Sequence, residues 1–505
     1  MSSGRAIWAY GVAAALYLAI APAAPAQDAE PVTMTEARAE AALADAQEAL
    51  AEPAAGASSR ELTLILARLS QALPSLDRAD RRQANGILAR PDDAEADRFG
   101  DGYEEPEAAE SPACDANFCV HWVATGEDAP TPADADENDI PDFVDDVLES
   151  AEDSRSVENE TLGWTEPEPD GIRGEGVPPG LNRTDAYLVE THGAYFGYAS
   201  SDENQQGEVA KQAYLVLDND FVEFVGPELS AVEAMQVTMA HEYNHVLQFA
   251  YDSFADRWMF EATATWVEDL VYPEIDDYLN FVPAFAETSR VSLTTDSAPR
   301  KYGAAVWNHF LSESGDPSVV RDAWEVSPEV TPEHLSAAAY DEALGGDGAS
   351  PFPALAAEFI DFAASTAEWQ GSPELYPDAA SQPKVDRSGK LRPVGARRLE
   401  LNHLAHALYR VPARFAEQGL RLKGTGPAAT HYGFGLIGRR GDRTSGDLET
   451  RVVEMEAGGA GKAKLPGDDY RRVTALIVNA DARVDPGGSY RRDDQPFRLK
   501  LRERD

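Results

Sequence analysis

A chain of 505 residues, 43% of them hydrophobic, is too long for one average domain and has material for sizeable cores. Asp and Glu number 89 against 43 Lys and Arg, a formal charge of −46, which excludes a nucleic-acid binder because phosphate contacts need clustered basic charge. Two cysteines exclude a disulfide-rich scaffold.

Residues 1–26 read as a secretory signal, with Arg5 as the positive start, an apolar run from Ala6 to Ala21 and a small-residue cleavage site at Ala24-Pro25-Ala26. The run is short for a membrane span. The expectation is export, to the periplasm or the medium, with no anchor left after cleavage. Residues 27–110 form the next segment. Leu62, Ile65, Leu66, Leu69 and Leu73 follow the spacing of one buried helix face, and the acidic stretch Asp92 to Ser111 reads as a linker. Two readings of this segment stay open: a propeptide that covers an active site, or a permanent helical appendage.

Cys114 and Cys119 in an exported chain predict a disulfide that closes a small loop. Phe118 to Ala124 reads as a strand. In the run Asp134 to Asp145, oxygen-bearing side chains fall on Asp134, Asp136, Asn138, Asp142 and Asp145, and Ile140 offers a backbone carbonyl between them. Calcium takes six to eight hard oxygen ligands from such a loop. The run resembles the Asp-rich calcium loops of thrombospondin type 3 repeats, with Asp139 in place of the usual glycine and Asp145 in place of the closing glutamate. The other reading is a solvated acidic turn ahead of a helix starting near Pro141. After a Gly- and Pro-rich loop at Gly171 to Gly180, Ala186 to Val189 and Ala213 to Leu217 read as strands.

Ser230 and Glu233 make a capping-box pair ahead of an apolar stretch from Ala234 to Phe249, so a helix is expected here. It carries His241-Glu242-Tyr243-Asn244-His245. Residues four apart share a helix face, so His241 and His245 can bind one zinc ion, with Glu242 beside them in reach of water on the metal. Trp258-Met-Phe-Glu261 opens a second helix stopped by Pro273.

At this point the chain resembles the gluzincin class of zinc metallopeptidases and a group of secreted bacterial metalloproteases, over roughly residues 110 to 315. The resemblance implies a zincin-like catalytic domain at 111–385, with Glu261 as third zinc ligand. Glu268 is the rival for that role. Thr265 stands where the thermolysin-like branch has an aspartate that orients the first histidine, so the partner of His241 is left open. The resemblance also implies that Ala213 to Asp218 is the edge strand that binds the substrate backbone. Tyr302, in Lys301-Tyr302-Gly303, is similar to the tyrosine that steadies the oxyanion in the aminopeptidase branch, and His309 and His334 are lesser candidates for that task.

Residues 386–505 carry 24 basic and 16 acidic side chains, against 19 and 73 before them, and that swing predicts a domain boundary. Here the periodicity becomes two, as in Leu420 and Leu422 or Phe497, Leu499 and Leu501, and predicts a β-sandwich. The fold class expected is α+β: a helical segment, a zincin-like domain and an all-β tail. The function expected is secreted zinc-dependent hydrolysis of protein or peptide substrates. The rivals are a secreted binding or adhesion protein with structural zinc and calcium, and zinc hydrolysis of a non-peptide substrate.

Overall fold

The computed structural model describes residues 34–51, 60–93, 103, 112–169, 183–202, 209–226, 229–329, 335–346, 352–441, 449–483, 490 and 492–504. The expected signal at 1–26, the Gly171 to Gly180 loop, His334 and most of the acidic linker lie outside them. The fold is mixed α+β. No helix of the described residues is long and apolar enough to cross a membrane.

Three helices come first: α1 (Glu36–Ala51), α2 (Leu62–Ala72) and α3 (Arg78–Ile87). Strands β1 (Ala113–Cys114) and β2 (Phe118–His121) precede helix α4 (Asp142–Arg155). Then come β3 (Thr184–Val189), β4 (Gly197–Ser200) and β5 (Tyr214–Asp218). These strands form one sheet in the order β1-β2-β3-β5-β4, parallel at β2–β3 and β3–β5 and antiparallel at both ends. Cys114 and Cys119 face each other across β1 and β2 and are joined by a disulfide.

Both faces of the sheet are covered, which is why its strands read as continuous apolar runs. Ala186, Leu188, Leu215 and Leu217 point into the main core with the helices α4 and α5 (Ala231–Tyr251). Tyr187, Val189, Tyr198, Tyr214 and Val216 point the other way, against Leu62, Leu66, Leu69, Leu73 and Leu88 of the N-terminal helices. The described N-terminal helices are therefore one of three layers. The predicted apolar face of α2 does this packing, while Leu64 on its other side enters the main core.

The edge-strand expectation is corrected. The strand at 214–218 lies inside the sheet, and the antiparallel edge beside α5 is β4, Gly197–Ser200. A run of four residues, buried on both faces, carries no alternation that would mark it as a strand.

Helix α6 (Arg257–Val271) packs along α5. It is followed by α7 (Val282–Glu287), α8 (Arg300–Gly303), α9 (Ala305–Ser314), α10 (Val319–Val326), α11 (Ser336–Ala343) and α12 (Ala354–Ser365). The predicted helix at 301–311 is thus broken in two at Ala304.

The tail contains β6 (Arg387–Lys390), β7 (Arg397–Leu401), β8 (Ala405–Val411), β9 (Leu420–Arg439), β10 (Glu449–Leu465), β11 (Arg472–Asn479) and β12 (Gln495–Glu503). The sandwich expectation is corrected to one curled seven-stranded sheet. The long β9 pairs with β12 along its first part and with β11 along its second, and β10 follows it throughout with a bulge between Ala457 and Gly459. Layers that a sandwich would keep separate are therefore joined by continuous backbone. Leu422, Tyr432, Phe434 and Leu499 fill the inside of the curl. Leu408, Ile437 and Leu476 on the outside continue the core of Phe359 and Ile360, so hydrophobic packing runs unbroken across residue 386.

Candidate metal centre

Helix α5 is the central support of the site. Ser230 Oγ accepts from the Glu233 amide at 3.2 Å, and Glu233 Oε2 accepts from the Ser230 amide at 2.8 Å, the predicted capping box. From Val237 to Phe249 every residue is buried, which an α-helix tolerates only if its polar side chains find partners. They do. Asn244 donates to Glu158 at 2.8 Å, and Gln248 donates to Asn244 and to the Phe260 carbonyl.

The two histidines are held from behind. His241 Nδ1 lies 2.6 Å from Glu268 Oε1, and His245 Nδ1 lies 2.7 Å from Gln248 Oε1. With Nδ1 as the donor in each ring, Nε2 is the atom turned toward the site. Glu261 Oε2 of α6 sits 3.2 Å from His241 Nε2 and 3.8 Å from His245 Nε2. Two imidazole nitrogens and a carboxylate oxygen thus converge from two helices. Glu268, two turns along the same helix, reaches the far side of His241. It supplies the carboxylate that Thr265 cannot, and the partner of His241 is found.

The converging groups are strongly coupled electrostatically. Burial opposes charge on His241, yet Glu261 and Glu268 hold its pKa up at about 10. Burial and the charge on His241 push His245 down to about 3. Against its own burial, Glu261 is held down at about 2 by Lys301 and the two imidazoles. His245 Nε2 and Glu261 Oε1 are buried with no hydrogen-bond partner, an arrangement that costs free energy unless something is bound there. His241, Glu242 and His245 bring ligand atoms close enough to hold a metal ion. The two histidines with Glu261 make a donor set of two nitrogens and an oxygen that fits one, with Glu242 left beside it.

Glu242 points beside this centre. Burial pushes its carboxyl up to about 7, where a proton can be both taken and returned. Its Oε2 accepts from Thr63 Oγ1 at 2.8 Å, and the same Oγ1 accepts from the Ala199 amide of β4 at 3.0 Å. Tyr302 is buried with its ring 6.2 Å from that of His241, and its hydroxyl donates to Glu61 Oε1 at 3.3 Å. Lys301 Nζ lies 2.7 Å from Glu61 Oε2 and 3.7 Å from Glu261 Oε1. His309 is not part of this group: it packs on Tyr278 and faces Asp269 at 3.8 Å.

Arg60, Glu61, Thr63 and Lys301 were not legible as site residues. The first three lie far back in the chain from the α5 motif, and only the tertiary fold brings them to it.

In the predicted calcium loop, Asp134, Asp136 and Asp142 bring carboxylate oxygens within 4.8 Å of one another. Asp145 instead accepts from Asn138 Nδ2 at 2.9 Å. Asp139 has φ 68°, so the position usually given to glycine does take the left-handed conformation, which aspartate tolerates.

No family model matches the chain, and a search of curated proteins returns no match.

Proposed function

We propose that the chain is a secreted zinc-dependent peptidase. The observation that carries this reading is the pair of Nε2-presenting histidines converging with Glu261, next to a buried Glu242 that the convergence leaves over. Two imidazoles and one carboxylate suit zinc, and three protein ligands leave a coordination position open, as catalytic sites do. When bound, such an ion supplies a Lewis acid that polarises a carbonyl and acidifies water.

The chain's own residues do the rest. Glu268 and Gln248 fix the ring orientations of His241 and His245. Glu242 takes the proton of the attacking water and returns it to the leaving amine. The hydroxyl of Tyr302, once free of Glu61, donates to the developing oxyanion. Strand β4, once its Ala199 amide is free of Thr63, offers its edge to an extended peptide.

The test is hydrolysis of a casein-type substrate together with elemental analysis. One zinc per chain is expected, with activity lost to a chelator and restored by zinc. A stoichiometric metal without hydrolysis would instead support an exported binding protein with a structural ion.

The same reading gives the loop at Asp134 a calcium ion. Saturating calcium should raise the melting temperature by a few degrees, since a ligand bound only to the folded state stabilises it. Asp136→Ala should remove most of that gain. Calorimetry that finds the wild-type transition unmoved by calcium would leave the loop a plain acidic turn.

A further inference from the structure

The start of α2 reaches into the candidate site with three side chains. Thr63 touches both the proposed base and the β4 edge. Glu61 takes up Lys301 and Tyr302. Arg60 goes deepest: it is 6% exposed, donating to Glu268 Oε1 at 2.9 Å and to Asp277 Oδ2 at 2.7 Å. Its guanidinium carbon lies 5.1 Å from the ring centroids of both Phe196 and Phe281.

Two carboxylates and two aromatic rings are a complete set of partners for a guanidinium, which stacks on ring faces and forks to acids. Glu268 and Asp277 are 1% and 8% exposed, and burying carboxylates at that depth demands a cation. The pocket is also in the right place. Phe196 immediately precedes the edge strand, and Glu268 is the carboxylate behind His241.

We infer that Arg60 to Thr63 is a tethered occupant of the cleft, and that the pocket Arg60 fills receives the arginine side chain of a peptide substrate. This rests on the peptidase reading. The tether blocks the site without being cut, because it enters as a helical turn. Glu61 has φ −85° and ψ −9°, and its carbonyl already accepts from the Ile65 amide. It therefore meets β4 through the Thr63 hydroxyl and cannot pair with it as a strand. The chain in this form is slowed rather than silent, because an arginine-bearing substrate has to displace Arg60 before it is cut.

The test uses the full chain with Arg60→Ala, kept in chelator so that nothing turns over. The probe is a fluorescein-labelled tripeptide with a central arginine, compared by anisotropy with the same tripeptide carrying citrulline, which has the shape without the charge. The arginine peptide is expected to bind at least about tenfold tighter, as charge-assisted pairs do over neutral ones. Adding Asp277→Asn should shrink the difference severalfold, leaving only what Glu268 supplies. Equal affinity for the two peptides, or binding of neither, overturns the pocket.

Should Arg60→Ala fail to fold, Arg60→Lys keeps a cation in place. Millimolar arginine amide should then raise its melting temperature more than citrulline amide, and equal shifts overturn the pocket. The two readings fail separately. An arginine peptide that binds but is never cut with zinc present sinks the peptidase, whereas cutting with no preference for arginine sinks the pocket.

Discussion

Glu242→Gln should lower hydrolysis by about 10² to 10⁴-fold, the range that a positioned acid–base group contributes. Metal content should not change, because the converging ligand atoms belong to His241, His245 and Glu261. Glutamine keeps the shape and can still accept from Thr63 Oγ1 through its carbonyl oxygen, so the fold has no reason to suffer. What disappears is the group that takes and returns a proton. Initial rates with matched zinc occupancy measure this, and full turnover in the variant would mean that the base is another residue.

The second large effect concerns the ligand set. His245→Ala and Glu261→Ala should each abolish stoichiometric metal, and activity with it, because each removes a donor from a set of three. Glu268→Gln should behave differently. It leaves every donor in place and loosens the imidazole of His241, along with Arg60, so affinity should fall by about 10 to 100-fold, as for other partners behind a ligand. Zinc titration against a competing chelator separates the two outcomes. Metal loss in Glu268→Gln as complete as in Glu261→Ala would restore Glu268 as a direct ligand.

The parts of the site that were legible in the sequence are those set by local rules. The capping box, the four-residue spacing of His241 and His245 and the helix that follows all depend on short-range backbone geometry. Glu261 came from resemblance, and its Oε2 lies beside both Nε2 atoms. Glu268 could be named as a rival, but its actual position behind His241 depends on how α6 crosses α5, which no spacing states. The edge strand was misassigned because Gly197–Ser200 is short and buried on both faces, while the longer apolar run at 214–218 had the stronger strand pattern. In the tail, period-two alternation marked runs that lie in β9 and β12, while β6, β8 and β10 went unread. It tells which side chains share a face and not which strands pair, so it cannot separate a sandwich from a sheet curled around β9. Arg60 and Thr63 left no trace at all. Nothing local distinguishes an arginine bound for a buried acid pair from one bound for solvent.

One oxygen ties the deep pocket to the histidine: Glu268 Oε1 accepts from Arg60 and also faces His241 Nδ1. A guanidinium and an ion at the converging ligands therefore compete for, or reinforce, the same electron density. By thermodynamic linkage, whatever factor pocket occupancy applies to ion affinity, the ion must apply to pocket affinity. Metal titrations of this chain will accordingly report whether Arg60 at the start of α2 is seated, as well as the strength of the ligands.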